Sequence, residues 1–223
     1  MADERKHAYG WVDSGLETPG QSSWQEMKIS KRGEQRIVDF IAEMLQEGRG
    51  YQVRVGTIAT GIAMQDVIAD ATAEFCYDAL ASLTIIPIQL RVAAREIATG
   101  ATVQVALKGV GAVSTAGTAF IPLPLYQGGA GASGSARAAA GAVTVTAELA
   151  TTTVRIYEYE NVFTQAPTTI NGNLALIPAA GPLDLQYIGA GPACIYFQAA
   201  AATAFPLYFA HLNVLELLTT SVG

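Results

Sequence analysis

Ala193–Leu218, ACIYFQAAAATAFPLYFAHLNVLELL, is the stretch whose reading decides the fold. Its first run, Ala193–Gln198, concentrates β-branched and aromatic side chains in Ile195, Tyr196 and Phe197. Its second, Phe205–Leu218, carries Leu207, Phe209, Leu212, Val214 and Leu217. Apolar runs of this length and composition, bounded by small residues, are strand signals. Ala199–Thr203 has no large side chain and is expected to turn, which makes the stretch a closing hairpin. Pro206 falls at the start of the second run, where a missing N–H does least harm to a ladder. A helical face through Tyr208, Phe209, Leu212 and Leu215 can also be drawn. Strands are preferred because the rest of the chain supplies sheet partners and almost no helices. A final strand this apolar has to be central, since an open edge recruits other chains.

Working back from this stretch, Tyr51–Val55, Thr102–Leu107, Val143–Leu149 and Thr152–Tyr159 read as strands, as do the shorter pieces Leu174–Ile177 and Leu185–Ile188. Residues 72–77 alternate as a strand with Phe75 and Tyr77 on one face, although Asp66, Asp70, Glu74 and Asp78 also recur at helical spacing. Four like charges at that spacing repel one another and weaken a helix. Leu83–Val92 is a long strand whose internal Pro87 places it at an edge or a bulge. Gly109–Thr118 reads as a loop and Phe120–Tyr126 as a proline-punctuated edge segment. Residues 128–141, only Gly, Ala and Ser apart from Arg137, read as a long flexible loop or a place of close chain approach. About eight strands with turn signals between them and no alternating helices predict a mainly β fold, an antiparallel, jelly-roll-like β-sandwich.

The N-terminal quarter is different. Residues 1–30 mix charge, Gly, Pro and Ser with Trp11 and Trp24, the only tryptophans, and show no sustained period. They read as an extended arm. Disordered tails are poor in aromatics, so the tryptophans point to docking, within the subunit or on a neighbour. Residues 34–47 form one amphipathic helix, with Ile37, Val38, Ile41, Met44 and Leu45 on a single stripe and Gly48 and Gly50 as its stop. The chain thus divides into an arm plus helix over residues 1–50 and a sandwich over 51–223. Trp11, Trp24, Ile37, Ile41, Met44 and Leu45 are the candidate contacts with neighbouring subunits.

Charge marks the same division. Residues 1–55 hold nine acidic and eight basic residues, whereas residues 56–223 hold ten and five, a net −5. A weakly acidic body repels phosphate backbones, so nucleic acid is not an expected partner. Fifteen charges on 168 residues make a sparse solvated surface, and interface cores are depleted of charge in the same way. The first residues, MADERKHAYG, lack a signal-peptide apolar core, and no apolar run reaches the ~18 residues of a membrane span. Synthesis in the cytoplasm, with no membrane partner, is the expectation.

No catalytic, metal-ligating or cofactor-binding residue is expected. His7 lies in the arm and His211 in the last strand, with no second His or Cys at zinc-ligand spacing. Cys76 and Cys194 lie in apolar runs and read as buried thiols, with one disulfide left open. No serine sits in a G-x-S-x-G turn, and the glycine clusters at 128–131 and 189–191 do not open a Lys-Ser/Thr helix. Asp66, Asp70, Glu74 and Asp78, and Glu158 with Glu160, are the carboxylates nearest to a site. Calcium needs about six oxygens at defined spacing, and an outward polar strand face explains the last pair.

The segments TAEFCYDALASLTIIPIQLRV (72–92) and ACIYFQAAAATAFPLYFAHLNVLELL (193–218) together resemble virion structural proteins with a jelly-roll fold, in particular tailed-phage capsid decoration (cement) and minor capsid proteins. The resemblance lies in a proline-bearing strand after a short turn, a closing apolar pair of strands, Gly/Ala/Thr-rich linkers and a polar arm, over a third of the chain. It implies a non-enzymatic protein of the virion, a homo-oligomer with a trimer favoured, seated on a major capsid protein or another virion protein. The alternative is a carbohydrate- or receptor-binding sandwich, as on a phage fibre or spike, with 109–118 and 128–141 as its recognition loops.

Overall fold

A computed structural model describes residues 9–10, 25–26, 40–57, 60–95, 97–148, 153–163, 174–182, 189–202 and 206–218, with 9–10, 25–26, 40, 43, 139–142 and 174–182 described by backbone alone. The chain forms two units, Met1–Glu43 and Met44–Gly223. In the first, β1 (Tyr9–Gly10) and β2 (Gln25–Glu26) pair antiparallel. The helix α1 (Phe40–Gln46) crosses the division. It ends where Gly48 turns left-handed at φ 75°, with Gly48 N–H bonded to Leu45 O and Arg49 N–H to Met44 O. These two bonds satisfy the carbonyls that a helix end leaves open. The first half of the expected helix, residues 34–39, lies outside the described residues, as do Leu185–Ile188. No helix among the described residues is long and apolar enough to cross a membrane.

The second unit is an antiparallel sandwich of two sheets. Its strands are β3 (Gly50–Val55), β4 (Ile62–Ala63), β5 (Thr72–Ala79), β6 (Leu83–Arg95), β7 (Thr102–Val110), β8 (Thr118–Phe120), β9 (Leu123–Pro124), β10 (Ser135–Thr144), β11 (Val154–Val162), β12 (Leu174–Pro182), β13 (Gly189–Ala190), β14 (Ala193–Ala201) and β15 (Leu207–Leu218). One sheet runs β11-β7-β14-β5-β10-β8. The other runs β12-β6-β15-β3-β9, with β13 also on β6 and β4 also on β15. Between the sheets lie Phe75, Tyr77, Ile195 and Phe197 from the first and Val53, Leu90, Leu212 and Val214 from the second. The Phe75 and Phe197 rings stack at 4.8 Å, and Tyr208 reaches from the opposite sheet to 5.8 Å from Phe197.

The closing hairpin is not formed. β14 pairs with β5 and β7, whereas β15 pairs with β3 and β6 in the other sheet. Ala199–Ala201, expected to turn, continue β14 and are buried. Each run carries a full apolar face. Facing one another across a sandwich buries both faces, whereas lying side by side in one sheet would leave them to find cover elsewhere. The expected central position of the last strand holds for β15, which lies between β6 and β3. Pro87 sits at a bulge: Val214 opposes Pro87 and Asn213 opposes Gln89, leaving Ile88 as the extra residue.

The small-residue segment 128–141 is also not one loop. From Ser135 it is β10, an inner strand of the six-stranded sheet. Ala136 there packs in the core beside the bulky side chains of β5, where a larger residue has no room. Of the described residues of the expected strand Val143–Leu149, which end at Glu148, only Val143 and Thr144 belong to a ladder. Of the expected loop Gly109–Thr118, Gly109 and Val110 finish β7, and Thr118 begins β8.

Candidate functional site

Residues 109–136 contain no charged side chain. They wrap one edge of the sandwich, because β8 is the last strand of one sheet and β9 the last strand of the other. Along this edge Ile121 is 74% exposed, Leu123 43%, Leu125 37% and Tyr126 55%. Large apolar groups contiguous on an uncharged surface mark an interaction site more often than scattered ones do. Both edge strands are very short, and Pro122 and Pro124 remove donors from the segment. This edge therefore presents side chains rather than a template for an added strand.

Of the expected contact residues, Trp11, Trp24 and Ile37 lie outside the described residues. Ile41, Met44 and Leu45 are half-buried. Leu45 lies over Gly50 together with Leu125, so its packing is within its own unit. A side chain at Gly50 would collide with Leu45.

The outer face of the six-stranded sheet carries buried polar groups. A row of cross-strand partners places Arg155 beside Lys108, Lys108 beside Tyr196, Tyr196 beside Cys76 and Cys76 beside Arg137. Glu148 accepts from Lys108 Nζ at 2.6 Å and from Arg155 Nε at 2.6 Å. Those two donors hold its carboxyl below the usual carboxylate range. In the neighbouring row Cys194 opposes Asp78. Asp78 Oδ1 accepts from the Ser114 amide at 2.8 Å, and Asp78 Oδ2 accepts from Ser114 Oγ at 2.7 Å. Cys76 Sγ lies 2.9 Å from Ser114 Oγ and 3.9 Å from Asp78 Oδ2. Both thiols are free and buried. Burial, with Cys76 and Asp78 alongside, pushes the Cys194 thiol up. Above them Ala73, Val110, Val143, Val145 and Tyr196 form a second small apolar cluster. This cover explains why every residue of β14 is buried, on both faces.

A third buried acid, Glu216 of β15, joins the two sheets. It accepts from the Tyr77 hydroxyl, from Gly134 N–H at 2.6 Å and from Ser133 N–H at 3.0 Å. Burial and that carboxylate push the Tyr77 hydroxyl up. A Cβ at Gly134 would lie 2.7 Å from Asp78 O and 2.8 Å from both Glu216 Oε1 and Tyr77 Cε1, so only glycine lets this turn close on the carboxylate.

The sequence-level carboxylates are thus separated. Asp66 and Asp70 are exposed ahead of β5, and Glu158 and Glu160 are exposed on β11, whereas Glu74 and Asp78 are buried within β5. Sequence reasoning named Asp78 as a candidate carboxylate but passed over Ser114 and Glu216. Cys76-x-Asp78 does place two donor groups on one strand face by period 2. The partner Cys194 is supplied only by the register. His211 is a half-buried residue of central β15, with Arg91 and Arg54 as its cross-strand partners. Burial and Arg91 lower its pKa. Protonation therefore favours the unfolded chain, and stability is lost as pH falls through the unfolded value near 6.5. Replacing His211 by Gln is expected to flatten the melting temperature between about pH 7.5 and 5.5. The Glu148 effect lies in a separate window: its lowered pKa gives stability that is lost only as pH falls below about 4.5. An unchanged slope in the variant would remove His211 from the account.

No protein-family model, no curated protein and no solved structure matches this chain.

Proposed function

We propose that this chain is a non-enzymatic structural protein of a virion, one that associates with copies of itself and seats on a capsid shell as a decoration, cement or minor capsid protein. The observation that carries the reading is the uncharged apolar edge Ile121–Tyr126 on a sandwich whose remaining surface has few charges. A second copy of the chain supplies a partner of the same character, and a closed ring, a trimer by preference, covers every such edge with identical contacts. The polar arm adds a tether whose effect multiplies over the subunits of a ring.

Light scattering after size exclusion tests this. The full chain is expected to run as a closed oligomer. The pair of substitutions Ile121→Asp and Tyr126→Asp is expected to shift it to monomer with an unchanged circular dichroism spectrum, and deletion of residues 1–30 to weaken assembly while the sandwich stays folded. A full chain that is monomeric at every concentration, alone and with purified shells of a candidate virion, would sink the reading. A second reading, a carbohydrate- or receptor-binding module, has one observation in its favour. A depression of about 460 Å³ beside β7 and β11 is lined by Gln104, Lys108, Glu158 and Glu160, groups able to hydrogen-bond hydroxyls.

A further inference from the structure

We propose that Cys76, Cys194 and Asp78 bind one thiophilic divalent cation of the zinc type, with the fourth corner filled by the neighbouring Ser114 hydroxyl or by a water it holds. The site is independent of how the chain assembles.

The chain has two cysteines, far apart in sequence, and the fold sets both on the outer face of adjacent strands. Their sulfurs and an Asp78 oxygen all lie within 4.8 Å of one another. A tetrahedral zinc site has edges of roughly 3.8 Å between sulfurs and 3.5 Å between sulfur and oxygen. The 3.9 Å from Cys76 Sγ to Asp78 Oδ2 is near that edge. Ser114 Oγ is hydrogen-bonded to these two atoms at 2.9 Å and 2.7 Å, inside those edges, and would draw back to take the fourth corner or to hold a water there. The donors choose the ion. Two sulfurs and one carboxylate suit a borderline-soft cation and are a poor set for magnesium or calcium, which take oxygen.

The charges also close. On binding, each thiol gives its proton to solvent and each sulfur forms one bond to the metal, with no oxidation or reduction. Two thiolates and a carboxylate then carry −3 against the ion's +2. The Arg137 guanidinium, with Nε 3.7 Å from Asp78 Oδ2, supplies the remaining positive charge. That Nε is buried and makes no hydrogen bond, so it is placed by charge. The apolar cover of Val110, Val143, Val145 and Tyr196 keeps the site dry, as structural metal sites are kept. Bound metal would fasten β5, β14 and the loop after β7 at one point.

The test uses the full chain, reduced and stripped of metal, titrated with Co²⁺. A thiolate-to-cobalt charge-transfer absorption that saturates at one ion per chain, and is bleached by Zn²⁺, is the expected result. It should vanish in Cys194→Ser and weaken in Asp78→Asn. A hundredfold excess of free Zn²⁺ over its Kd should raise the folded-to-unfolded ratio by about a hundredfold. Should the variants fail to fold, the wild-type chain still decides, because bound Zn²⁺ must slow alkylation of both thiols in the native protein. A folded, reduced chain giving no charge-transfer band overturns the proposal. So does an intact mass two hydrogens light under non-reducing conditions, which would make the pair a disulfide.

Discussion

Replacing Glu216 with alanine is expected to cost about 4 kcal/mol of folding stability, a large part of what a domain of this size holds. The truncation strands the buried Gly134 amide and the Tyr77 hydroxyl without a partner and frees the Ser133 amide, whose residue is exposed. Each orphaned buried group costs about 1–3 kcal/mol, and the relieved desolvation of the carboxylate returns part of the sum. Glu216→Gln keeps a carbonyl acceptor for one of the two amides and is expected to cost about half as much. Urea unfolding of the three proteins checks this. If alanine and wild type share a midpoint, the carboxylate does not hold the turn. The local consequence is separable, because Ser133 and Gly134 amides should exchange faster in the alanine variant even where global unfolding is slow.

The second large effect is at Phe197. Truncation to alanine is expected to cost about 4 kcal/mol, by lost transfer free energy and by the cavity left behind. Phe197 is fully buried, stacks on Phe75 in its own sheet and meets Tyr208 of the other. The void therefore opens between the sheets, where neither can move inward alone. Phe197→Leu, which keeps most of the volume, is expected to cost about 1.5 kcal/mol or less. Equal losses in the two variants would mean that the ring contacts, rather than the filled space, hold the sheets together.

Much of the fold was legible from periodicity alone. β3, β5, β6, β7, β11 and β15 each alternate or run apolar over a strand's length, and all fall close to where the pattern puts them. What the pattern cannot carry is partnership. A strand's apolar face is equally well met by a neighbour in its own sheet or by one across the core, and the runs 193–198 and 205–218 look like a hairpin for that reason. Nor does a strand such as Ser135–Thr144 announce itself, since Ala136 and Ala138 are kept small by the bulk of Tyr77 and Phe75 opposite them rather than chosen for strand propensity. The cluster at Cys76 was half visible, in one strand's alternation. Its other half depends on Cys194 landing opposite Asp78, a matter of register.

β14 lies between β7 and β5, and β15 between β6 and β3. Each sheet therefore has its middle strand among the last to be synthesised of those described. As the chain emerges from the ribosome, β3 waits for β15 over about 160 intervening residues, with Gln52 finally meeting Asn213 across a side-chain hydrogen bond spanning 161 positions. Ladders that must close such long loops form slowly. Their unfilled slots expose the apolar faces of β5, β6 and β7 in the meantime. A chain cut within β15 therefore keeps every described strand of the six-stranded sheet but leaves β3 and β6 without the strand that joins them, rather than a slightly smaller sandwich.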